Sequence, residues 1–146
     1  MYKQFLKSIL LATVATFSLS TVVSAKPIPK NATYNQIYDG LETMTYTVDD
    51  LIAAVKKGQP SSLGYVAYMY FQSEQFDDAY NYAQRAVAKN DTLGKFITGN
   101  LYVLGHKGNF HEGMPLIKKA CVDGKLGQKF SKSDLIVKAC KTVKNQ

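Results

Sequence analysis

The 146-residue sequence contains no tryptophan, only two cysteines, two histidines and four prolines. Two cysteines are too few for a disulfide-dense mini-protein, and ten glycines are far from the roughly one-third that collagen requires. Hydrophobic residues make up 46% of the chain, which is more than a disordered segment carries. The composition therefore fits one small globular domain.

The sequence also lacks the short motifs of common catalytic sites. It has no nucleophile elbow, no phosphate-binding G-x-x-x-x-G-K-[ST] loop and no H-E-x-x-H helix. His106 and His111 match no zinc-binding spacing, so we interpret them as solvent-exposed or groove residues. The order of the residues along the chain does not by itself exclude a Ser/His/Asp catalytic arrangement. These absences argue against an enzyme, and they predict neither a cofactor nor a metal site.

The first 25 residues have the order of a secretory signal peptide. Lys3 and Lys7 precede an apolar stretch over residues 9–19, and small residues at 23–25 form a cleavage site after Ala25. An uncleaved membrane anchor is the alternative, but it needs about 20 strongly apolar residues, and threonine and serine interrupt this stretch. We therefore expect a soluble, exported chain that is periplasmic or, alternatively, secreted.

Cys121 and Cys140 are expected to form a disulfide, because an even pair of cysteines in an oxidising compartment is usually bridged. A bridge that closes about 20 residues would stabilise the fold by about 3 kcal/mol in the chain-entropy treatment. A redox-active pair is the alternative, but the close C-x-x-C spacing of such pairs is absent.

Turn signals and apolar periodicity divide the rest of the chain. Two prolines predict an extended, mobile lead-in over residues 26–32, and Thr33 is expected to cap the first helix of an N-terminal pair over 33–60. Residues 126–146 predict a polar link and a C-terminal capping helix that begins at Ser131. Because no period-2 apolar run of useful length occurs, the sequence predicts an all-α fold.

Residues 61–125 contain a self-similarity at a separation of 34 residues. Each copy divides into an aromatic-rich first helix, a turn and a second helix, and Asp91 is expected to cap the first helix of the second copy. The pairs at this separation are Leu63 and Ile97, Tyr68 and Tyr102, Phe76 and Phe110, Ala79 and Gly113, Ala83 and Ile117, Ala86 and Ala120, and Val87 and Cys121.

These two units resemble the tetratricopeptide-repeat superfamily, in particular its Sel-like repeat branch. The resemblance rests on Leu63, Gly64, Ala67, Tyr70, Ala79 and Ala86 in the first unit and on Gly99, Tyr102, Gly105, Gly113 and Ala120 in the second. It implies a short right-handed α-solenoid of antiparallel helix pairs with flanking and capping helices. It also implies a non-catalytic interaction module whose first helices line a concave groove for a peptide or for a partner's surface.

Seven side chains would face that groove in this register: Tyr68, Phe71, Gln72, Lys95, Thr98, Tyr102 and His106. Tyrosine suits a partner-binding surface, because its ring gives broad apolar contact and its hydroxyl gives a polar tip. The alternative for each tyrosine is that it fills an interface between helices.

Charge is distributed unevenly along the chain. Residues 26–84 carry 4 basic and 7 acidic side chains, a net charge of −3, whereas residues 85–146 carry 12 and 4, a net charge of +8. The basic part suits an acidic protein partner, an acidic polymer or anionic lipid headgroups, and a merely solvated face is the alternative. Its lysines lack interleaved arginine and aromatic residues, which argues against nucleic acid.

Together these features predict an exported, non-catalytic module that binds a protein or peptide in a tyrosine-lined groove. A periplasmic immunity or chaperone-like protein for a secreted effector is an alternative within the same class. An enzyme that acts on cell-wall or β-lactam-like material is the competing class.

Overall fold

The computed structural model describes residues 26–145, and within this range the protein contains α-helices and no strand, which confirms the all-α prediction. The predicted signal peptide lies outside the described residues. The helices are α1 (Tyr34–Glu42), α2 (Val48–Lys56), α3 (Pro60–Gln72), α4 (Phe76–Ala88), α5 (Thr92–Val103), α6 (Phe110–Cys121), α7 (Leu126–Lys129) and α8 (Asp134–Lys144).

Polar side chains determine where most of these helices begin. Thr33, Thr47 and Asn109 each form a capping box, in which the cap and the third helical residue satisfy each other's backbone N–H groups. The predicted cap Thr33 is thus confirmed. For α8 the sequence predicted a start at Ser131, but the cap is Ser133, because Ser131 is engaged by α1 instead.

The lead-in is anchored to the fold, contrary to the expectation of a mobile segment. Ile28 is 3% exposed and belongs to the hydrophobic core. The Gln59 side-chain amide also donates a hydrogen bond to the Ile28 carbonyl over 3.3 Å. An apolar side chain between two prolines therefore ties this segment to the start of α3.

Helices that are neighbours in sequence pack on one another from α3 to α6, and α3 also contacts α5. Helices α1 and α2 both pack on α3, while α8 packs on α6 and α7. The backbones of α5 and α6 approach closely at Gly99 and Gly113, where a Cβ atom on either residue would overlap the carbonyl oxygen of the other. This close approach explains why glycine occupies position 113, which corresponds to Ala79 in the first unit.

The two helix pairs differ in the length of their internal turn. The first helices begin at residues 60 and 92, which are 32 positions apart, whereas the second helices begin at residues 76 and 110, which are 34 apart. The turn between α3 and α4 covers residues 73–75, and the turn between α5 and α6 covers residues 104–109. The second turn is three residues longer and α5 is one residue shorter than α3, so the first helices are offset by two residues from the 34-residue period.

Cys121 and Cys140 form the predicted disulfide, with an S–S distance of 2.01 Å and a Cα–Cα distance of 5.0 Å. The bond joins the last residue of α6 to the middle of α8. It indicates a non-reducing environment for the folded chain. Within residues 26–145, no helix is long and apolar enough to cross a membrane.

A buried carboxylate joins three helices at the start of α5. Asp91 accepts a hydrogen bond from the Gly94 amide over 2.8 Å and another from the Tyr34 hydroxyl over 2.6 Å. The same hydroxyl accepts one from the Leu93 amide over 3.1 Å. Gly64 on α3 leaves the room for this carboxylate, because a Cβ atom there would overlap it. Asp91 is the cap that the sequence predicted, and it also fixes α5 against α1 and α3.

Replacing Asp91 by asparagine is expected to change how stability depends on pH. Burial raises the pKa of the Asp91 carboxyl from its usual 3.8 to about 6, although hydrogen bonds from Tyr34 and Gly94 act in the opposite direction. A raised folded-state pKa means that the contribution is fully present below pH 3.8 and is lost as the pH rises through 6. In the wild type this carboxyl should therefore lower the unfolding free energy by about 2 kcal/mol between pH 4 and pH 7.

Urea unfolding at pH 4 and pH 7 measures this difference, with Asp123→Asn as the control because Asp123 is exposed. The Asp91→Asn variant should lose the fall attributed to Asp91, and the control should keep it. An equal pH dependence in wild type and Asp91→Asn would contradict the role assigned to burial.

Candidate functional site

The tyrosines of α1 and α3 surround a phenylalanine from the C-terminal part of the chain. Phe130 has no solvent exposure. Its ring centroid lies 5.7 Å from Tyr34, 6.3 Å from Tyr38, 5.7 Å from Tyr65 and 5.1 Å from Tyr68. We call these four tyrosines, with Phe130 between them, the Phe130 cage. A tyrosine-lined cavity is therefore present, and the protein's own chain fills it.

Polar contacts fix the residues that follow Phe130. The Asn35 side chain donates to the Ser131 hydroxyl over 2.9 Å and accepts from the Lys132 backbone amide over 3.1 Å. The Lys132 ammonium lies 3.2 Å from the Asp39 carboxylate. One face of α1 thus contacts both backbone and side chains of this segment, as a peptide-binding surface contacts its ligand.

Burial favours the neutral form of three of the cage hydroxyls, those of Tyr34, Tyr65 and Tyr68. Burial raises the pKa of Tyr68 above its ordinary value, although a hydrogen bond with Ser133 opposes the shift. Burial also raises the pKa of Tyr34 and Tyr65 well above the usual range. The Tyr68 and Ser133 hydroxyls lie 2.8 Å apart. This bond ties the cap of α8 to α3.

A second aromatic group lies around the end of α3, the start of α4 and the end of α5, and it remains half-buried. We call it the Tyr102 cluster: Phe71, Phe76, Tyr80, Tyr102 and His106. The centroid distances are 5.9 Å for Phe71 and Phe76, 6.0 Å for Phe76 and His106, 6.3 Å for Tyr80 and His106, and 6.3 Å for Tyr80 and Tyr102. Helices α3, α4 and α5 and the turn after α5 each contribute to it.

Charged groups lie at the edge of the Tyr102 cluster. His106 Nε2 is 3.3 Å from the Asp77 carboxylate, and the Lys107 ammonium is 3.7 Å from the same oxygen. The imidazole nitrogen is close enough to attract the carboxylate when it is protonated, but it forms no hydrogen bond with any residue in the range 26–145. The pKa of Tyr102 is raised above its ordinary value, mainly by a hydrogen bond with Tyr80 and to a smaller extent by partial burial.

Exposed apolar residues lie at both ends of the turn between α5 and α6, Leu104 within the turn and Phe110 as the first residue of α6. Leu104 is 59% exposed and Phe110 is 56% exposed. The ring of Tyr102 lies against Gly108 in the same turn, where a Cβ atom would overlap it. The combination of half-buried rings, exposed apolar side chains and one His–Asp pair is suited to binding another molecule's surface.

The structure does not bring the seven predicted groove residues onto one surface. Tyr68 lies in the Phe130 cage, whereas Phe71, Tyr102 and His106 belong to the Tyr102 cluster. Gln72, Lys95 and Thr98, the three remaining predicted groove residues, belong to neither the Phe130 cage nor the Tyr102 cluster.

Thr98 is 3% exposed, and its hydroxyl accepts a hydrogen bond from Gln84 on α4 over 3.2 Å. Lys95 bonds to the Asn90 side chain, and Gln72 is half-buried at the end of α3. The face of α5 that carries Thr98 and Tyr102 therefore packs towards α4, and burial removes Tyr68 and Thr98 from the accessible surface.

Three residues that matter here were not among the predicted site residues. Phe76 and Tyr80 lie four positions apart on α4, a spacing that places them on one helical face, so their partnership could have been inferred. Phe130 occurs in a segment interpreted as a polar link, and nothing in its local sequence indicates which helices it contacts.

Within the part of the chain that the structure describes, no three His, Cys, Asp or Glu side chains are grouped to hold a metal ion. No protein-family model matches this chain, and no curated protein or solved structure shows a significant similarity to it.

Proposed function

We propose that this chain is an exported, non-catalytic binding protein of the periplasm that holds a protein or peptide partner at the Tyr102 cluster. The observation that carries this proposal is the clustering of five half-buried rings from three helices and a turn, with exposed apolar residues beside them. Tyrosine, phenylalanine and histidine rings of this kind supply the anchors of many protein interfaces.

A short right-handed α-solenoid is the arrangement we propose for α3 to α6. Two features support it: each helix packs on the next, and the two first helices, α3 and α5, also contact each other. Successive repeats of a solenoid contact only their neighbours, and their first helices lie side by side. The sequence resemblance to Sel-like repeats supports the same arrangement.

The Tyr102 cluster is a better partner site than the Phe130 cage because it is accessible. Phe130 already fills the cage, and a partner would first have to displace a fully buried aromatic ring. The rings of the Tyr102 cluster need no such rearrangement. The Asp77 side chain, 80% exposed beside His106, further suits a partner segment that combines an apolar residue with a hydrogen-bond donor or a positive charge.

Site-specific cross-linking tests this assignment. In the full chain expressed in its exporting cell, Tyr102 and, separately, Tyr70 are replaced by a photo-reactive phenylalanine analogue. Tyr70 is the matched control, because it is also a half-buried tyrosine but stacks on Tyr82 at 5.4 Å, outside the cluster. A partner should cross-link at position 102 and not at position 70.

Once that partner is identified, Tyr102→Ala is expected to weaken its binding at least about 10-fold, as loss of an interface anchor does. Tyr70→Ala should leave the dissociation constant within about 2-fold of wild type. Titration calorimetry with both variants measures these constants. Equal weakening by the two substitutions, or unchanged binding by Tyr102→Ala, would show that the cluster is the wrong site.

A further inference from the structure

The last part of the fold carries a basic surface with aliphatic residues beside the charges. We call it the basic face: Lys118, Lys119 and Val122 after or within α6, and Leu135, Val137, Lys138, Lys141 and Lys144 within α8. All five lysines are exposed. The aliphatic residues are also exposed, at 40% for Val122, 44% for Leu135 and 36% for Val137.

The fold leaves these lysines on the sides of α6 and α8 that are not buried. Helix α6 buries Ile117, Ala120 and Cys121, and α8 buries Ile136 and Cys140, so the lysines between them occupy the opposite sides. The α6–α8 packing and the disulfide hold the two helices at one end of the molecule. None of the five lysines forms an ion pair with another described residue, so their charge is not neutralised.

We propose that the basic face adsorbs to a bilayer of anionic phospholipid. Lysines near a negatively charged bilayer are attracted to its headgroups, and short aliphatic side chains between them can enter the interfacial region. Adsorption is peripheral, since no helix within residues 26–145 could cross the membrane. It would present the Tyr102 cluster to a partner while the protein is held at a membrane surface.

The composition of the face favours lipid over an acidic protein. The cores of protein interfaces are enriched in arginine and aromatic residues and depleted in lysine. The basic face has neither arginine nor an aromatic ring. A lipid surface requires no directional hydrogen bonds and responds to the number of charges, which lysine supplies as a compact point charge.

Vesicle co-sedimentation of the oxidised chain, residues 26–146, tests the proposal with phosphatidylglycerol vesicles and with phosphatidylcholine vesicles. Binding is expected to the anionic vesicles alone and to weaken as salt is added. Each neutralised lysine should weaken binding about 5-fold, so Lys138→Gln with Lys141→Gln should weaken it about 25-fold. The matched control, Lys56→Gln with Lys57→Gln, makes the same charge change on exposed residues of another helix end.

A second variant, Leu135→Ser, separates insertion from charge and should weaken binding a few-fold without altering its salt dependence. The substituted residues are exposed, so far-ultraviolet circular dichroism should remain that of the wild type. No binding to anionic vesicles at low salt would overturn the proposal. So would equal losses in the two lysine pairs, or binding to soluble polyglutamate without binding to vesicles. These outcomes leave the cross-linking result at position 102 unaffected.

Discussion

Replacing Phe130 by alanine is expected to lower the free energy of unfolding by about 3 to 5 kcal/mol. The ring is fully buried and contacts four tyrosines, so its removal leaves a cavity whose walls belong to α1 and α3. Those walls are fixed elsewhere: Tyr34 bonds to Asp91, and Tyr68 bonds to Ser133. The cavity should therefore close only in part, which places the cost towards the upper end of the range.

Urea unfolding followed by circular dichroism at pH 7 measures the loss. Phe110→Ala is the matched control, since Phe110 is also a phenylalanine but is 56% exposed, and it should change the unfolding free energy by less than about 0.5 kcal/mol. A loss below about 1 kcal/mol for Phe130→Ala would show that the Phe130 cage contributes little to the fold.

Local signals in the sequence were sufficient to predict where α1 and α5 begin. Thr33 and Asp91 are short polar residues followed by apolar periodicity, and both cap helices as expected. The prediction for α8 was two residues early, because Ser131 and Ser133 are equally plausible caps in isolation. The choice between them depends on Asn35, which is distant in sequence and engages Ser131.

The groove residues were harder to predict, because helical spacing identifies a face but not its neighbour. Thr98 and Tyr102 do share one face of α5, four residues apart, whereas His106 lies beyond the end of α5 in the following turn. That face meets α4, as the contacts to Gln84 and Tyr80 show. The first helices begin 32 residues apart, so a uniform 34-residue register misaligns them by two residues.

The tyrosines of α1 and α3 show again that the sequence pattern does not identify what packs against a helical face. The sequence predicted a partner groove lined by Tyr68 and Tyr102, but the ring that packs on Tyr68 is that of Phe130, more than sixty residues later in the chain. Phe130 lies between Cys121 and Cys140, within the segment of the chain that the disulfide closes. Tyr34, Tyr65 and Tyr68 thus belong to the hydrophobic core, and Tyr38 packs against it. We therefore propose the Tyr102 cluster, and not these tyrosines, as the partner site.

Removing the disulfide is the second large effect that the structure predicts. Cys121→Ala with Cys140→Ala should lower the unfolding free energy by about 3 kcal/mol, because the bridge constrains a loop with a sequence separation of 19 residues in the unfolded chain. The loss should be localised as well. Hydrogen exchange should accelerate most in α7 and α8, which can open locally once the bridge is gone, and less in α3 to α5.

A double-mutant cycle sharpens this prediction, since Phe130 lies inside the bridged loop. If the bridge acts partly by holding Phe130 in its cage, the losses from the cysteine pair and from Phe130→Ala should sum to more than the loss in the triple variant. Phe110→Ala, outside the loop, should instead add to the cysteine substitutions within about 0.5 kcal/mol. Thiol labelling of the oxidised wild type should detect no free cysteine. Full additivity with Phe130→Ala would show that the disulfide and the cage stabilise the fold independently, and that the bridge does not position the segment that fills the tyrosines.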